Sequence, residues 1–284
     1  MRTPNFTKST FDWARQFPRF AHYPSEAMLS TSWSLPIAHL PTSRGFQCCR
    51  IHEGGNDIRH LVRAYPILTR REHETWTRLP GAEKRRKEWL LGRVAAKDAV
   101  RLILRDGYQL KAYPADIEIV SDEHGKPIVS GQMIEELECR LSLSIAHSEG
   151  GAVAVAVEGF HGKKAGIDVE QMDGNHEGLE DMGFTTGECS LLDTVPAWER
   201  EEWLLRLWCA KEAVAKALGR GLMGSPFNIV VQAIAFESGR TTLRIEGQLA
   251  RELCNFANQF FTAYTGRDET LVFGTVFVSP ERVG

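Results

Sequence analysis

The chain has 284 residues, 43% of them hydrophobic and 25% charged; 34 Lys and Arg against 37 Asp and Glu leave a net charge of −3. That is ordinary globular composition. It excludes a disordered chain and gives no whole-chain support for binding nucleic acid or an anionic membrane. No apolar run approaches the ~18 residues of a membrane span. The opening MRTPNFTKSTFDWARQF lacks the apolar stretch of a secretory signal. Six cysteines without a C-x-x-C pair read as reduced thiols of a cytoplasmic protein, and no paired Cys/His spacing points to zinc.

Residues 1–60 carry Pro, Ser and His without clear period and stand apart as an N-terminal extension with the first strands. From there the elements come in a recognisable order. Thr69-x-x-Glu72 reads as a capping box opening a short helix, Pro80 restarts the chain as a longer helix, and Gly107 marks its end. Strand-like runs follow at 117–120, 141–145 and 152–158. The segment GFHGKKA (159–165) is the junction between a first lobe, 61–162, and a second, 163–284. In the second lobe Thr185-x-x-Glu188, Pro196 and Gly219/Gly221 play the parts of Thr69, Pro80 and Gly107. Strand-like runs then lie at 228–236, 241–246, 259–264 and 270–278, the last two joined as a hairpin around Gly266-Arg267-Asp268.

The two halves are copies. EWLLGRVAAKDAV (88–100) aligns without a gap on EWLLRLWCAKEAV (202–214), with eight of thirteen positions identical at an offset of 114. Gly107 mirrors Gly221, and Gly125-Lys126 mirrors Gly239-Arg240, in the same register. Two copies at this spacing are too few and too long for a solenoid. The reading is an α+β fold of two similar lobes related by a pseudo-twofold axis, with a ligand cleft between them.

Four stretches carry candidate chemistry. In Gly166-Ile-Asp168-Val-Glu170, strand alternation puts both carboxylates on one face and Ile167 and Val169 in the core. Two like charges that close repel unless a cation sits between them; an exposed polar strand face is the bland alternative. On the second long helix Trp208, Glu212 and Lys216 share a face, with Lys211 one step round. A solvated Glu–Lys pair would explain the charges but not the indole in register with them. Ser144-Ile-Ala-His147-Ser148-Glu-Gly-Gly ends a strand in groups a phosphate could approach, or in a simple turn. Asp122-Glu-His-Gly-Lys126-Pro127 alone is a β-turn. The first long helix has Val94 and Leu102 in place of Trp208 and Lys216, so only one copy carries the Trp/Glu/Lys face.

In order, HGKP, SIAHS, GIDVE and WCAKEAVAK resemble the 4′-phosphopantetheinyl transferases, in their two-lobed, pseudo-dimeric (Sfp-type) branch. The resemblance covers roughly residues 69–225 and is specific as a combination rather than in any one piece. It implies that coenzyme A lies in the cleft and that Asp168, Glu170 and Glu212 bind Mg²⁺, with Mn²⁺ as the substitute. It implies Glu212 as the group that accepts the proton of a carrier-protein serine, directly or through a metal-bound water, and Lys216 as the group that stabilises or protonates the leaving phosphate. His147, Ser148, Lys126, Pro127, Lys211 and Arg93 would contact CoA, Lys211 as a point charge on the pyrophosphate. Arg220, Leu222 and Met223 would meet the carrier. The implied partners are an apo acyl or peptidyl carrier protein and CoA, with no nucleic acid and no membrane, and the implied assembly is a monomer. Two alternatives remain open: a non-catalytic CoA- or nucleotide-binding interaction module, and a Mg²⁺-dependent pyrophosphohydrolase using the same carboxylates.

Overall fold

A computed structural model describes residues 46–52, 66–81, 83–137, 140–148, 151–159 and 162–279, the first of these segments by its backbone. The first half runs through β1 (Phe46–His52), α1 (Arg70–Arg78), the long α2 (Glu83–Tyr108), β2 (Glu118–Ser121), β3 (Pro127–Ser130), α3 (Gln132–Glu136), β4 (Leu141–Ser148) and β5 (Gly151–Glu158). The second runs through β6 (Lys164–Gln171), α4 (Leu179–Gly183), α5 (Thr186–Leu192), α6 (Arg200–Leu218), β7 (Ile229–Ala235), β8 (Arg240–Ile245), α7 (Gly247–Glu252), β9 (Phe260–Asp268) and β10 (Leu271–Val278). With α4 set aside, the second series repeats the first. Sheet order repeats as well: β1-β5-β4 in the first half corresponds to β6-β10-β9 in the second, where β8 and β7 extend the same sheet. Every pairing is antiparallel. β1 lies ahead of residue 61, where the first lobe was expected to begin, yet it forms an edge of the first sheet.

Each long helix lies on its own sheet through small side chains. Ala95, Ala96 and Ala99 of α2 pack on Leu143, Ala154 and Ala156; Ala210, Ala213 and Ala217 of α6 pack on Ile229, Leu243, Ala263 and Val276. A third core joins the halves. Val153, Val155 and Val157 of β5 meet Ile167 and Val169 of β6 and Phe273 of β10. Along this seam the hydroxyls of Ser142 and Ser144 accept the backbone N–H groups of Ala165 and Ile167, both at 3.1 Å, so β6 is fixed against β4 by polar as well as apolar contacts.

Both capping boxes form, and each does more than cap. Thr69 and Glu72 exchange hydrogen bonds at the start of α1. Glu72 is then almost fully buried, accepts the backbone N–H of Ile119 at 3.0 Å, and takes Lys97 of α2 at 2.5 Å. Lys97 completes its shell on the carbonyl of Ile67 at 2.7 Å. The second half repeats the device: Glu188 accepts the N–H of Val231 at 2.8 Å and Lys211 of α6 at 3.0 Å, and Lys211 donates to the carbonyl of Gly183 at 2.7 Å. A buried lysine–glutamate pair thus ties cap, helix and strand together once per lobe.

Some local expectations shift. Gly107 lies inside α2, which ends past it with Gln109 at φ 57°, whereas Gly219 caps α6 at φ 74°. Pro80 and Pro196 sit in the linkers rather than in the first helical turns. The last hairpin turns one step later than expected: Asp268 pairs with Leu271, and Glu269 takes the positive φ of 54°.

Candidate active site

The central strand of the site alternates as expected. Ile167 and Val169 are buried in the seam between the halves, which turns Asp168 and Glu170 to the other face. Two glycines then let α6 lie directly on the strands. A Cβ on Gly166 would collide with the carbonyl of Ala213, and one on Gly274 would stand 2.7 Å from the backbone of Cys209. The close approach delivers Lys216 to Asp168, Nζ to Oδ1 at 2.6 Å. Glu212 stands one turn earlier on the same helix face.

The three carboxylates share one electrostatic field. Burial raises the pKa of Glu212, Asp168 and Glu170 raise it further, and Lys216 opposes them. Burial likewise raises Glu170, then Asp168, against the pull of His176, the Trp208 indole N–H and Lys216. Asp168 keeps Oδ2 buried without any hydrogen-bond partner. Hard oxygen donors that repel one another, one of them with an unsatisfied lone pair, suit a divalent cation. Among the described residues no three His, Cys, Asp or Glu side chains converge closely enough to hold an ion as they stand; Asp168 gives one oxygen to the Lys216 ammonium instead. The donor set therefore fits a metal in its chemistry, with Lys216 supplying the positive charge.

Among the described residues, the first half shows why no second such site forms. The counterpart of Glu212 is Asp98, and it is buried against Arg101 at 2.9 Å. Burial pushes the Asp98 carboxyl up to about 6 while Arg101 draws it down. The residue corresponding to Arg101 in α6 is Ala215, so Glu212 has no arginine to close on and stays only half-buried. β1, the counterpart of β6, reads FQCCRIH and carries no carboxylate.

Beside Glu170 opens a cleft of about 540 Å³. From the first half it is lined by Glu88, His147 and Ser148, and from the second by Glu170, His176, Leu179, Met182 and Trp208 among others. Trp208 is half-buried against Gly183, which would hold a Cβ 3.1 Å from the indole. His147 ends β4 with its imidazole in the space a Cβ on Gly92 would need. Its pKa falls to about 4, through desolvation first and then the charges of Lys216 and Arg93, against a hydrogen bond to the Glu88 carbonyl. At neutral pH the ring of the ligand-free protein is uncharged. Arg93 stacks over the Trp89 ring at 4.3 Å and stands 3.9 Å from Glu72.

Cations gather at the other end of α6. Lys126 reaches from the first half to the carbonyl of Ala217 at 3.4 Å, beside Gly219, and Pro127 opens β3 opposite Ser121. Burial and then Lys164 lower the Lys126 pKa, and burial and then Arg220 lower that of Lys164. Arg220 is engaged with His124 across the same gap.

One expectation is corrected. Lys211 does not face the cleft: it is fully buried, surrounded by Gly183, Glu188 and the Phe184 ring, as Lys97 is by its own partners. It cannot hold a pyrophosphate without abandoning a buried glutamate. Leu222 and Met223 are half-buried: both pack partly against the second core, and Asn228 holds the Leu222 carbonyl at 3.0 Å.

Residues 164–266 match the family model described as the 4′-phosphopantetheinyl transferase superfamily. A holo-[acyl-carrier-protein] synthase of Geobacillus kaustophilus is 44% identical over 105 residues, 35% of this chain and 78% of that protein. One of Halalkalibacterium halodurans is 34% identical over 105 residues, 35% of this chain and 83% of that protein. This chain belongs to the 4′-phosphopantetheinyl transferase superfamily. A solved holo-(acyl-carrier-protein) synthase of Bacillus anthracis in complex with CoA (3′,5′-ADP) is 31% identical, covers 40% of this chain and 95% of that one, and superposes with a TM-score of 0.33. Within this superfamily member the sequence reading missed Glu88, Gln171, Asn175, His176, Leu179 and Met182 of the cleft. The turn residues in Gly174-Asn175-His176-Glu177-Gly178, three residues beyond GIDVE, were the available signal. No helix among the described residues is long and apolar enough to cross a membrane.

Proposed function

We propose that the chain transfers the 4′-phosphopantetheine arm of coenzyme A to a serine hydroxyl of an apo acyl or peptidyl carrier protein, releasing adenosine 3′,5′-bisphosphate. One observation carries this reading: three mutually repelling carboxylates, one with an orphaned buried oxygen, face a lysine at the junction of duplicated halves, and only one half has them. Membership of the superfamily supports it, and the duplication supports the two-lobed branch, a monomer with one site per chain. Asp168, Glu170 and Glu212 would hold Mg²⁺ or Mn²⁺, which would neutralise charge on the pyrophosphate oxygens.

The protein's own groups do the rest. The serine oxygen attacks the β-phosphorus, a new P–O bond forms, and the bond to the departing bisphosphate breaks. Glu212, whose burial and acidic neighbours raise its proton affinity, accepts the serine proton. Lys216, released from Asp168, neutralises the leaving phosphate. The seam and both walls of the cleft hold the reactants in line.

The test is incubation of several apo-carriers with the chain, CoA and Mg²⁺, followed by mass spectrometry of the serine peptide. Wild type adds the phosphopantetheine mass; Asp168→Ala and Glu212→Gln do not, while keeping their circular dichroism and melting temperature. Unmodified carriers throughout refute the assignment. Adenosine 3′,5′-bisphosphate released without a carrier would point to hydrolysis instead.

A further inference from the structure

The turn that leaves the carboxylate strand is closed by a side chain. β6 ends at Gln171, and the N–H of Met172 still donates to the carbonyl of Thr270 at 2.8 Å. Met172 and Leu179, at the two ends of the turn, pack on one apolar cluster of Leu205, Cys209 and Val272. Between them His176 folds back. Its Nε2 stands 2.6 Å from the carbonyl oxygen of Gln171, the residue directly after Glu170. A carbonyl only accepts, so Nε2 carries a proton and donates it. The same carbonyl takes the N–H of Gly174 at 3.2 Å, and the carbonyl of His176 takes the N–H of Leu179, where α4 begins, at 3.1 Å. One residue thus holds the end of β6 with its ring and the start of α4 with its backbone.

Gly174 makes room for this ring. A Cβ there would stand 2.9 Å from Nε2 and Cε1 of His176 and 3.2 Å from the Gln171 carbonyl oxygen, while the glycine's φ lies outside the left-handed region. The imidazole, not the backbone, therefore requires a glycine here. The ring also acts on Glu170 through its charge: burial and then Asp168 raise the Glu170 pKa, and His176 is the strongest of the influences that oppose them.

We propose that His176 is a positioning residue for Glu170: its Nε2–H latches the turn after β6 and so fixes the direction in which that carboxylate meets the ion. The assignment rests on the metal reading of Asp168, Glu170 and Glu212 given above and adds a residue outside that ligand set. A ligand whose backbone is tied at the next residue loses less freedom when it closes on a cation, and such outer contacts tune metal affinity by about 10–100-fold.

Two measurements on the full chain test the latch. One is Mn²⁺ titration at saturating CoA, read by loss of the free-ion electron paramagnetic resonance signal. The other is hydrogen exchange of the peptide spanning 171–179. His176→Ala should weaken Mn²⁺ binding about tenfold and speed exchange of that peptide about three- to tenfold. His176→Gln, whose amide N–H can take the place of Nε2–H, should stay within about twofold of wild type in both. Gly174→Ala should match His176→Ala, and the double variant should be no worse than either single one. A His176→Ala chain that binds Mn²⁺ like wild type, whatever its exchange, overturns the proposal. So does a His176→Gln chain that loses as much as His176→Ala, or a double variant whose losses add. Asp168→Ala separates this failure from that of the metal reading. If Asp168→Ala binds Mn²⁺ like wild type, the metal reading itself falls; if it loses the ion while His176→Ala keeps it, the latch alone falls.

Discussion

Replacing Lys211 by Met separates a structural lysine from a phosphate-binding one. The side chain is fully buried, and its ammonium meets Glu188 at 3.0 and 3.2 Å and the Gly183 carbonyl at 2.7 Å. Removing it strands the Glu188 carboxylate, itself 0% exposed. Breaking one side of a buried pair costs about 3–5 kcal/mol, and the N–H donors of Thr185 and Val231 that remain on Glu188 favour the lower figure. In a chain of this size that lowers the melting temperature by about 6–20 °C. Calorimetric melts and CoA titration below the transition make the assay. Lys97→Met is the internal control, because it breaks the same arrangement on Glu72 in the lobe without the carboxylate triad. Both variants should melt early and bind CoA normally when folded. Lys211→Met with Glu188→Gln should recover part of the loss, since no charge is then left alone. A Lys211→Met protein that melts within a degree or two of wild type but no longer binds CoA would refute this reasoning.

Gly92→Ala should destabilise, although alanine normally gains about 1 kcal/mol over glycine inside a helix, because its Cβ would enter the His147 ring; in a His147→Ala background the sign should reverse, and a stabilising Gly92→Ala in the wild type would disprove the contact. Gly166→Ala should cost about 1–3 kcal/mol and most of the transferase rate by lifting β6 off the Ala213 carbonyl; unchanged activity would mean that Asp168 needs no such approach. The His147 pKa of about 4 lies below the ordinary value of 6.5, so the unfolded chain binds the extra proton first and stability falls as pH drops from about 6.5 to 4. His147→Gln should flatten that limb of a stability–pH profile, and superimposable profiles would show that the ring contributes nothing.

What the sequence made visible is what short-range rules govern. Thr69-x-x-Glu72 and Thr185-x-x-Glu188 form their boxes because capping involves four consecutive residues. Asp168 and Glu170 share a face because strand alternation admits no other outcome. The order of elements followed from the repeat. Lys211 was misjudged because its neighbour Glu212 belongs to the carboxylate cluster with Asp168 and Glu170, and adjacent helical positions diverge by about 100°. The duplicate Lys97 held the correcting signal, since a lysine present in both copies answers to what the copies share. The cleft's far wall was hidden because Leu179, Met182 and Trp208 come together only through tertiary packing. A strand was expected within residues 1–60 but not placed, because FQCCRIH mixes polar and apolar residues without the alternation that marks a half-buried strand.

The covalent link through residues 159–163 between the halves has a consequence for how the enzyme behaves in dilute solution. His147 and Ser148 come from one copy and Glu170 and Trp208 from the other. Two unlinked copies would have to find each other before any substrate could be gripped, and they would part at low concentration. Tethered through so short a segment, each wall sees the other at an effective concentration in the millimolar range. Specific activity should therefore hold constant on serial dilution, and the second copy was free to specialise without having to serve as its own mate.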